Sequence, residues 1–342
     1  MKTLSVILLT VIGLFAAEAR AQVPGPLKLI QTIPLPGLKD GDFDHFQVDL
    51  PGQRLFLAAE DNSEIEVIDL RTNKVIHKIA GPKAPHSIAY NPDSKKLFVV
   101  DDGGPNQVEI YDGTSFEFLG AIPMSAHADP SLYDPVTKLF YVGNGGKQAK
   151  QDFCMLSIVD TTSGKKAGDI KIDGADRIEA MAVERSGPRM FVNLYSKGAV
   201  AVIDREKREV IETWSIAQEG RNNGSMAFDE ADHRLFVHAR DPGKLIVMDS
   251  NSGKIVTTMP SGGMVDDLAY DAKLKRIYVT GVPFINVFQK SDEGDRYDLL
   301  GQVPTAFHAI TSILVPQLNR FYLAVNHHGE TDAVVQVYQV VP

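Results

Sequence analysis

Seven times along this chain a basic residue is followed by an apolar residue and then an aromatic one, at nearly constant intervals. The copies are Arg54-Leu55-Phe56, Lys96-Leu97-Phe98, Lys138-Leu139-Phe140, Arg189-Met190-Phe191, Arg234-Leu235-Phe236, Arg276-Ile277-Tyr278 and Arg320-Phe321-Tyr322. The aligned aromatics Phe56, Phe98, Phe140, Phe191, Phe236, Tyr278 and Tyr322 are separated by 42, 42, 51, 45, 42 and 44 residues. A repeat of this length is one supersecondary unit that cannot bury its apolar face alone, so neighbouring units must stack. Leucine-rich repeats are shorter, and helical repeats of this length need a 3.6-residue apolar period that the chain lacks. A period of about 40 to 45 residues built from short strands points instead to the blades of a β-propeller.

Four strands can be placed in each unit. Strand A is the apolar run before an acidic turn, as in Ser87-Ile88-Ala89-Tyr90, and strand B carries the repeated core, as in Leu97 to Val100. Strand C alternates, as in Ile65 to Asp69 or Leu245 to Asp249. Strand D follows a turn such as Asp160 to Lys165 or Asp249 to Lys254, where Asp bonds its own downstream backbone and Gly accepts a positive φ. The seventh unit ends at Pro342 with no strand D, whereas Leu29 to Ile33, ahead of the first unit, reads like the strand D of Val75 to Ile79. That segment is expected to complete blade seven and to hide two sheet edges that would otherwise invite aggregation. The expected fold is therefore all-β, a seven-bladed β-propeller of four-stranded antiparallel blades occupying residues 22–342 as a single domain.

Residues 1–21 have the layout of a secretory signal peptide: Lys2, an apolar run from Leu4 to Ala17, and Ala19-Arg20-Ala21 as a small-x-small cleavage site. The product is expected to be exported, to a periplasm or the extracellular space, and to act as a monomer. No later segment has the roughly 20 apolar residues needed to span a bilayer. The net charge of -9 becomes -10 once Lys2, Glu18 and Arg20 are removed. That field repels phosphate backbones, and no basic cluster with interleaved aromatics offsets it, so nucleic acid is excluded as a partner. Cys154 is the only cysteine, which rules out an internal disulfide and covalent haem attachment through paired cysteines, and it reads as a small core residue.

Phrases such as Pro85-His86-Ser87-Ile88-Ala89-Tyr90-Asn91-Pro92-Asp93, followed by Leu97-Phe98-Val99-Val100, and Arg276-Ile277-Tyr278-Val279-Thr280 resemble the YVTN-type repeat of the YncE-like β-propeller family. The resemblance spans the mature chain and implies an exported propeller. Fold alone does not imply a function.

Propeller geometry brings the starts of the A strands and the B-to-C loops to one face around a central channel. Counting back five residues from each acidic turn selects Asp44, His86, Asp129, Glu179, Gly224, Asp266 and Ile310, with His45, Asp267 and His308 close by. The B-to-C loops add Asp101, Asp102, Asn144, Asn193, His238, Arg240, Asp241, Asn326, His327 and His328. The expected funnel is Asp44, His45, His86, Asp129, Glu179, Arg240, Asp266, His308, His327 and His328, open to a small molecule or a protein partner. The bland reading of the same residues is a solvated polar rim.

No metal or other cofactor is certain from sequence. An oxygen-rich choice (Asp129, Asn144, Glu179, Asp266) would suit Ca²⁺ or Mg²⁺, while the histidines would suit Zn²⁺ or copper. Alternation along a strand allows only one of His327 and His328 to face a common site. The primary expectation is a binding or scaffold module. The alternative is a metal-dependent hydrolase of lactone or ester type, as in propellers of the gluconolactonase class, with Glu179, Asn144, Asn193 and Asp266 as metal ligands. No G-x-S-x-G and no phosphate loop ending in Gly-Lys-Ser/Thr is present.

Overall fold

Each repeat folds into its own four-stranded antiparallel sheet, and there are seven such sheets. The computed structural model describes residues 25–342, so the segment read as a signal peptide lies outside the described residues. Blade one is Phe46–Asp49, Arg54–Ala59, Glu64–Asp69 and Lys74–Ala80, and the other blades repeat this A-to-D order. Blade seven takes strands A to C from Ser312–Val315, Arg320–Val325 and Val334–Val340, and its outer strand from Leu27–Pro34. The two ends of the chain pair antiparallel, Leu29 opposite Tyr338 and Ile33 opposite Val335, so the N-terminal strand closes the ring as its sequence suggested.

The recurring acid-to-base spacing has a local cause. Asp49 accepts the backbone N–H of Gly52, the chain turns through Gln53 at a φ of 55°, and Arg54 emerges directly opposite Asp49. The Arg54 guanidinium then pairs with the Asp49 carboxylate at 2.7 Å. The C-to-D turns work similarly: Asp69, Asp112, Asp160, Asp204 and Asp249 each accept two successive backbone N–H groups two and three residues on.

Blade three corrects the sequence alignment by one residue. Asp134 stands opposite Leu139, not Lys138, and Lys138 occupies the positive-φ turn position that Gln53, Lys95, His233 and Lys275 occupy elsewhere. Tyr141, not Phe140, is therefore the counterpart of Phe56. The basic partner lost from strand B is replaced across the blade junction by Arg205, which pairs with Asp134 at 2.8 Å.

An apolar cluster fills each junction between consecutive blades. Phe56 meets Leu97 between blades one and two, Phe98 meets Phe140 between two and three, and Tyr141 meets Met190 between three and four. Phe191 meets Leu235, Phe236 meets Ile277, and Tyr278 meets Phe321 at the next three junctions. Leu57 and Tyr322 share the last cluster, between blades seven and one, with Ile33 from the closing strand. Cys154 is buried, as expected. Among the described residues no helix is long and apolar enough to cross a membrane.

Candidate functional site

The inner A strands enter the ring through bulges, and these decide what faces the channel. In blade one the N–H of Asp44 donates to the carbonyl of Ala58, whose own N–H donates to the carbonyl of His45, so two residues oppose one. Gly143 stands in the same relation to Asp129 and Pro130 in blade three. The A-to-B register slips between Pro85 and Ile88, Ile178 and Met181, Asn223 and Met226, and Val265 and Asp267 in blades two, four, five and six. Such bulges re-aim side chains. They break the strict alternation assumed from sequence, so Asp44 and its neighbour His45 both join one group with Asp266.

The result is a chain of acids and imidazoles running around the mouth. His86 Nδ1 donates to Asp44 Oδ2 at 2.5 Å and lies 3.6 Å from Asp129 Oδ1, while its Nε2 is 3.8 Å from Glu60. His45 lies 3.3 Å from the Asp44 carboxylate and 3.5 Å from that of Asp267. Arg240 pairs with Asp266 at 2.7 Å and also donates to the carbonyl of Val265. Arg177 forms an ion pair with Glu179, its Nη2 3.9 Å from Asp129. Tyr195 lies beneath both guanidinium groups, 4.7 Å from Arg177 and 5.9 Å from Arg240. Behind this ring the channel opens into a cavity of about 320 Å³, lined by A-strand residues including Phe46, Ser87, Ile88, Met181, Leu268 and Ser312.

Burial and proximity set the protonation of these groups. Burial opposes charge on His86, but the Asp44 hydrogen bond and the nearby Asp129 and Glu60 carboxylates outweigh it and raise the imidazole to about 10. Burial also works against the Asp44 carboxylate, yet His45 and His86 hold it below the usual range. Burial drives Glu179 and Asp266 upward, reinforced by Asp129 in the first case and by Asp44 and Asp267 in the second. Burial lifts Glu60 to about 7 and pushes His127 down.

The structure brings together Asp44, His45, His86, Asp129, Glu179, Arg240 and Asp266 of the expected funnel. The histidines of blade seven stand apart, tied to the connection that enters blade one. His308 lies 3.2 Å from Asp42, His327 lies 2.5 Å from Asp40, and His328 stacks on exposed Phe307 with ring centroids 4.0 Å apart. Asn144 and Asn193 have other work: Asn144 bonds the Ser125 N–H, the Val142 carbonyl and the Ser157 hydroxyl within blade three. Asn193 donates to the carbonyls of Gly224 and Ser225 and accepts from Asn223. Asp101 accepts the N–H groups of Ala84 and Gly103, and buried His238 bonds the Gly262 carbonyl. These are parts of the scaffold.

Sequence reasoning missed His127, Arg177, Glu60 and Tyr195. His127 and Arg177 each lie two residues before an acid that the sequence register selected, Asp129 and Glu179. Extending the selection by that step would have found both.

No family model matches this chain, and no curated protein matches it. Solved structures do. The WD40 repeats of RRP9 superpose with a TM-score of 0.75 at 14% identity, covering 94% of this chain and 100% of that one. A chain of the Mitotic Checkpoint Complex gives 0.73 at 15% identity, covering 99% of each. Kuenenia stuttgartiensis hydrazine synthase gives 0.72 at 17% identity, covering 88% of this chain and 98% of its own. At these identities the likeness is one of fold.

Proposed function

We propose that this chain is an exported propeller of the YncE-like type, with residues 1–21 as its signal peptide and 22–342 as its working domain. Its function is binding, and its ligand site is the channel mouth formed by Asp44, His45, His86, Asp129, Glu179, Arg240 and Asp266. One observation carries this reading. The side chains of Asp44, His86 and Asp129 are only 11 to 13% exposed, yet they converge from three blades and interact with one another. A solvated rim would leave such groups apart and in water, whereas here ionisable groups are withdrawn from solvent at the entrance to a cavity. Perturbed, convergent titratable groups in a concave site favour a binding role over a plain rim.

The mouth is suited to a small polar molecule rather than to nucleic acid, given the acidic surroundings and the overall charge of -9. Arg177 and Arg240 flank Tyr195, so an acidic group can be met on one side while hydroxyl or amino groups meet Asp266 and Glu179. The hydrolase alternative loses support because the amide of Asn144 is engaged within blade three and that of Asn193 is engaged by the backbone of blade five.

Calorimetric titration with a panel of amino acids, sugar acids and polyols tests the reading. At least one member should bind with unit stoichiometry and lose at least tenfold in affinity in Arg240→Gln and Asp266→Asn. If the bound members are indifferent to both substitutions, or a co-purified protein is retained at the mouth instead, the small-molecule reading fails.

A further inference from the structure

Blade three contributes to the mouth a donor that nothing else uses. The His127 side chain is 9% exposed, and its Nε2 makes no hydrogen bond among the described residues. That nitrogen lies 4.0 Å from Asp129 Oδ2. A Glu179 carboxylate oxygen, brought in from blade four, completes a set whose three ligand atoms all lie within 4.8 Å of one another.

We infer that His127 Nε2, Asp129 and Glu179 form a binding site for a divalent transition-metal ion, with Zn²⁺ the best match. The inference rests on reading the channel mouth as the ligand site. One imidazole nitrogen and two carboxylates make a three-ligand set with a fourth position left for a small molecule, the layout of an open zinc site. Ca²⁺ takes six to eight oxygens, and an imidazole donor disfavours it. Zinc bonds of about 2.0–2.2 Å place donor atoms closer together than the present 4.0 Å, so the ion would draw the side chains inward by small rotations.

The surroundings hold the donors in place. The backbone N–H of His127 donates to Asp102 Oδ1 at 3.0 Å, fixing a residue whose φ is 58°. His86 faces the other oxygen of Asp129, leaving Oδ2 directed at His127. Outer partners of this kind orient metal ligands. Arg177 is the competing cation, paired with Glu179 and 3.9 Å from Asp129 Oδ2. A metal ion takes over that neutralising role, so Arg177 opposes binding.

Titration of the purified chain with Zn²⁺ alone, followed by calorimetry, tests this. One equivalent should bind; His127→Gln should weaken binding at least tenfold, Arg177→Met should tighten it at least threefold, and His327→Gln should leave it unchanged. Should His127→Gln fail to fold, Arg177→Met decides, because structural damage does not raise affinity. Absence of binding, an unchanged affinity in Arg177→Met, or a loss in His327→Gln overturns the site. If Zn²⁺ fails to bind while a panel molecule still binds in an Arg240-dependent way, the metal site alone is wrong; if neither binds, the reading of the mouth falls with it.

Discussion

His86 Nδ1 donates to Asp44 Oδ2 at 2.5 Å, joining the starts of two inner strands 42 residues apart. The two side chains are mostly buried; Asp44 is the leading compensation for His86 leaving water, while His45 and His86 share that role for Asp44. Removing one partner strands a charge, and Asp44→Asn should cost about 3 kcal/mol. In a double-mutant cycle with His86→Gln the pair should show a coupling of roughly 1–3 kcal/mol by urea unfolding. Additive effects would mean that the pair does not form.

Ring closure rests on the strand Leu27–Pro34, whose Ile33 is fully buried between blades seven and one. Ile33→Ala should destabilise by about 2–5 kcal/mol. A chain beginning at Gly37 should expose the edge of Val334–Val340 and aggregate, seen as a higher-mass species in size-exclusion chromatography with light scattering. A truncated chain that stays monodisperse with an unchanged melting temperature would argue against closure by this strand.

Blade three offers a test of the register. Tyr141 is fully buried at the junction with blade four, whereas Leu139 sits at the edge where Arg54 sits in blade one. Tyr141→Ala should cost about 3–5 kcal/mol, and Leu139→Ala less than half as much, by denaturant unfolding. The reverse order would restore the alignment read from sequence.

His238 links stability to pH. It is fully buried, bonded to the Gly262 carbonyl with Arg240 nearby, and burial depresses its imidazole to about 4. As pH falls below about 6.5 the unfolded chain takes up this proton first, while the folded chain does so only near 4. The contribution is thus complete above pH 6.5 and declines by roughly 3 kcal/mol on the way down to pH 4. His238→Asn should flatten the slope of unfolding free energy between pH 6.5 and 4, and an unchanged slope would place the loss elsewhere.

The architecture was legible because periodicity and turn chemistry are local. An acid followed five residues later by a base, as in Asp49 and Arg54, announces a hairpin, and Val75 to Ile79 announces its counterpart near the N-terminus. Blade three misled because Lys138 looks like the basic first residue of strand B but serves as the turn residue, a distinction made by backbone conformation. The mouth was legible to the nearest strand start, which gave Asp44, His86, Asp129, Glu179 and Asp266. His45 and Arg240 were read from sequence as well, and the bulge that keeps His45 beside Asp44 was not. His127 and Arg177 lie one two-residue step further back, while His308 and His327 of blade seven paired with Asp42 and Asp40. A bulge depends on how two strands pair, so neither strand's sequence declares it alone.

The most direct measurement is an anomalous difference map from crystals of the chain soaked with Zn²⁺, collected on either side of the zinc absorption edge. One peak is expected at the junction of blades three and four, within about 2.0–2.2 Å of His127 Nε2 and of oxygens from Asp129 and Glu179. A map with no peak there, or with its only peak beside His308 and His327, would contradict this expectation.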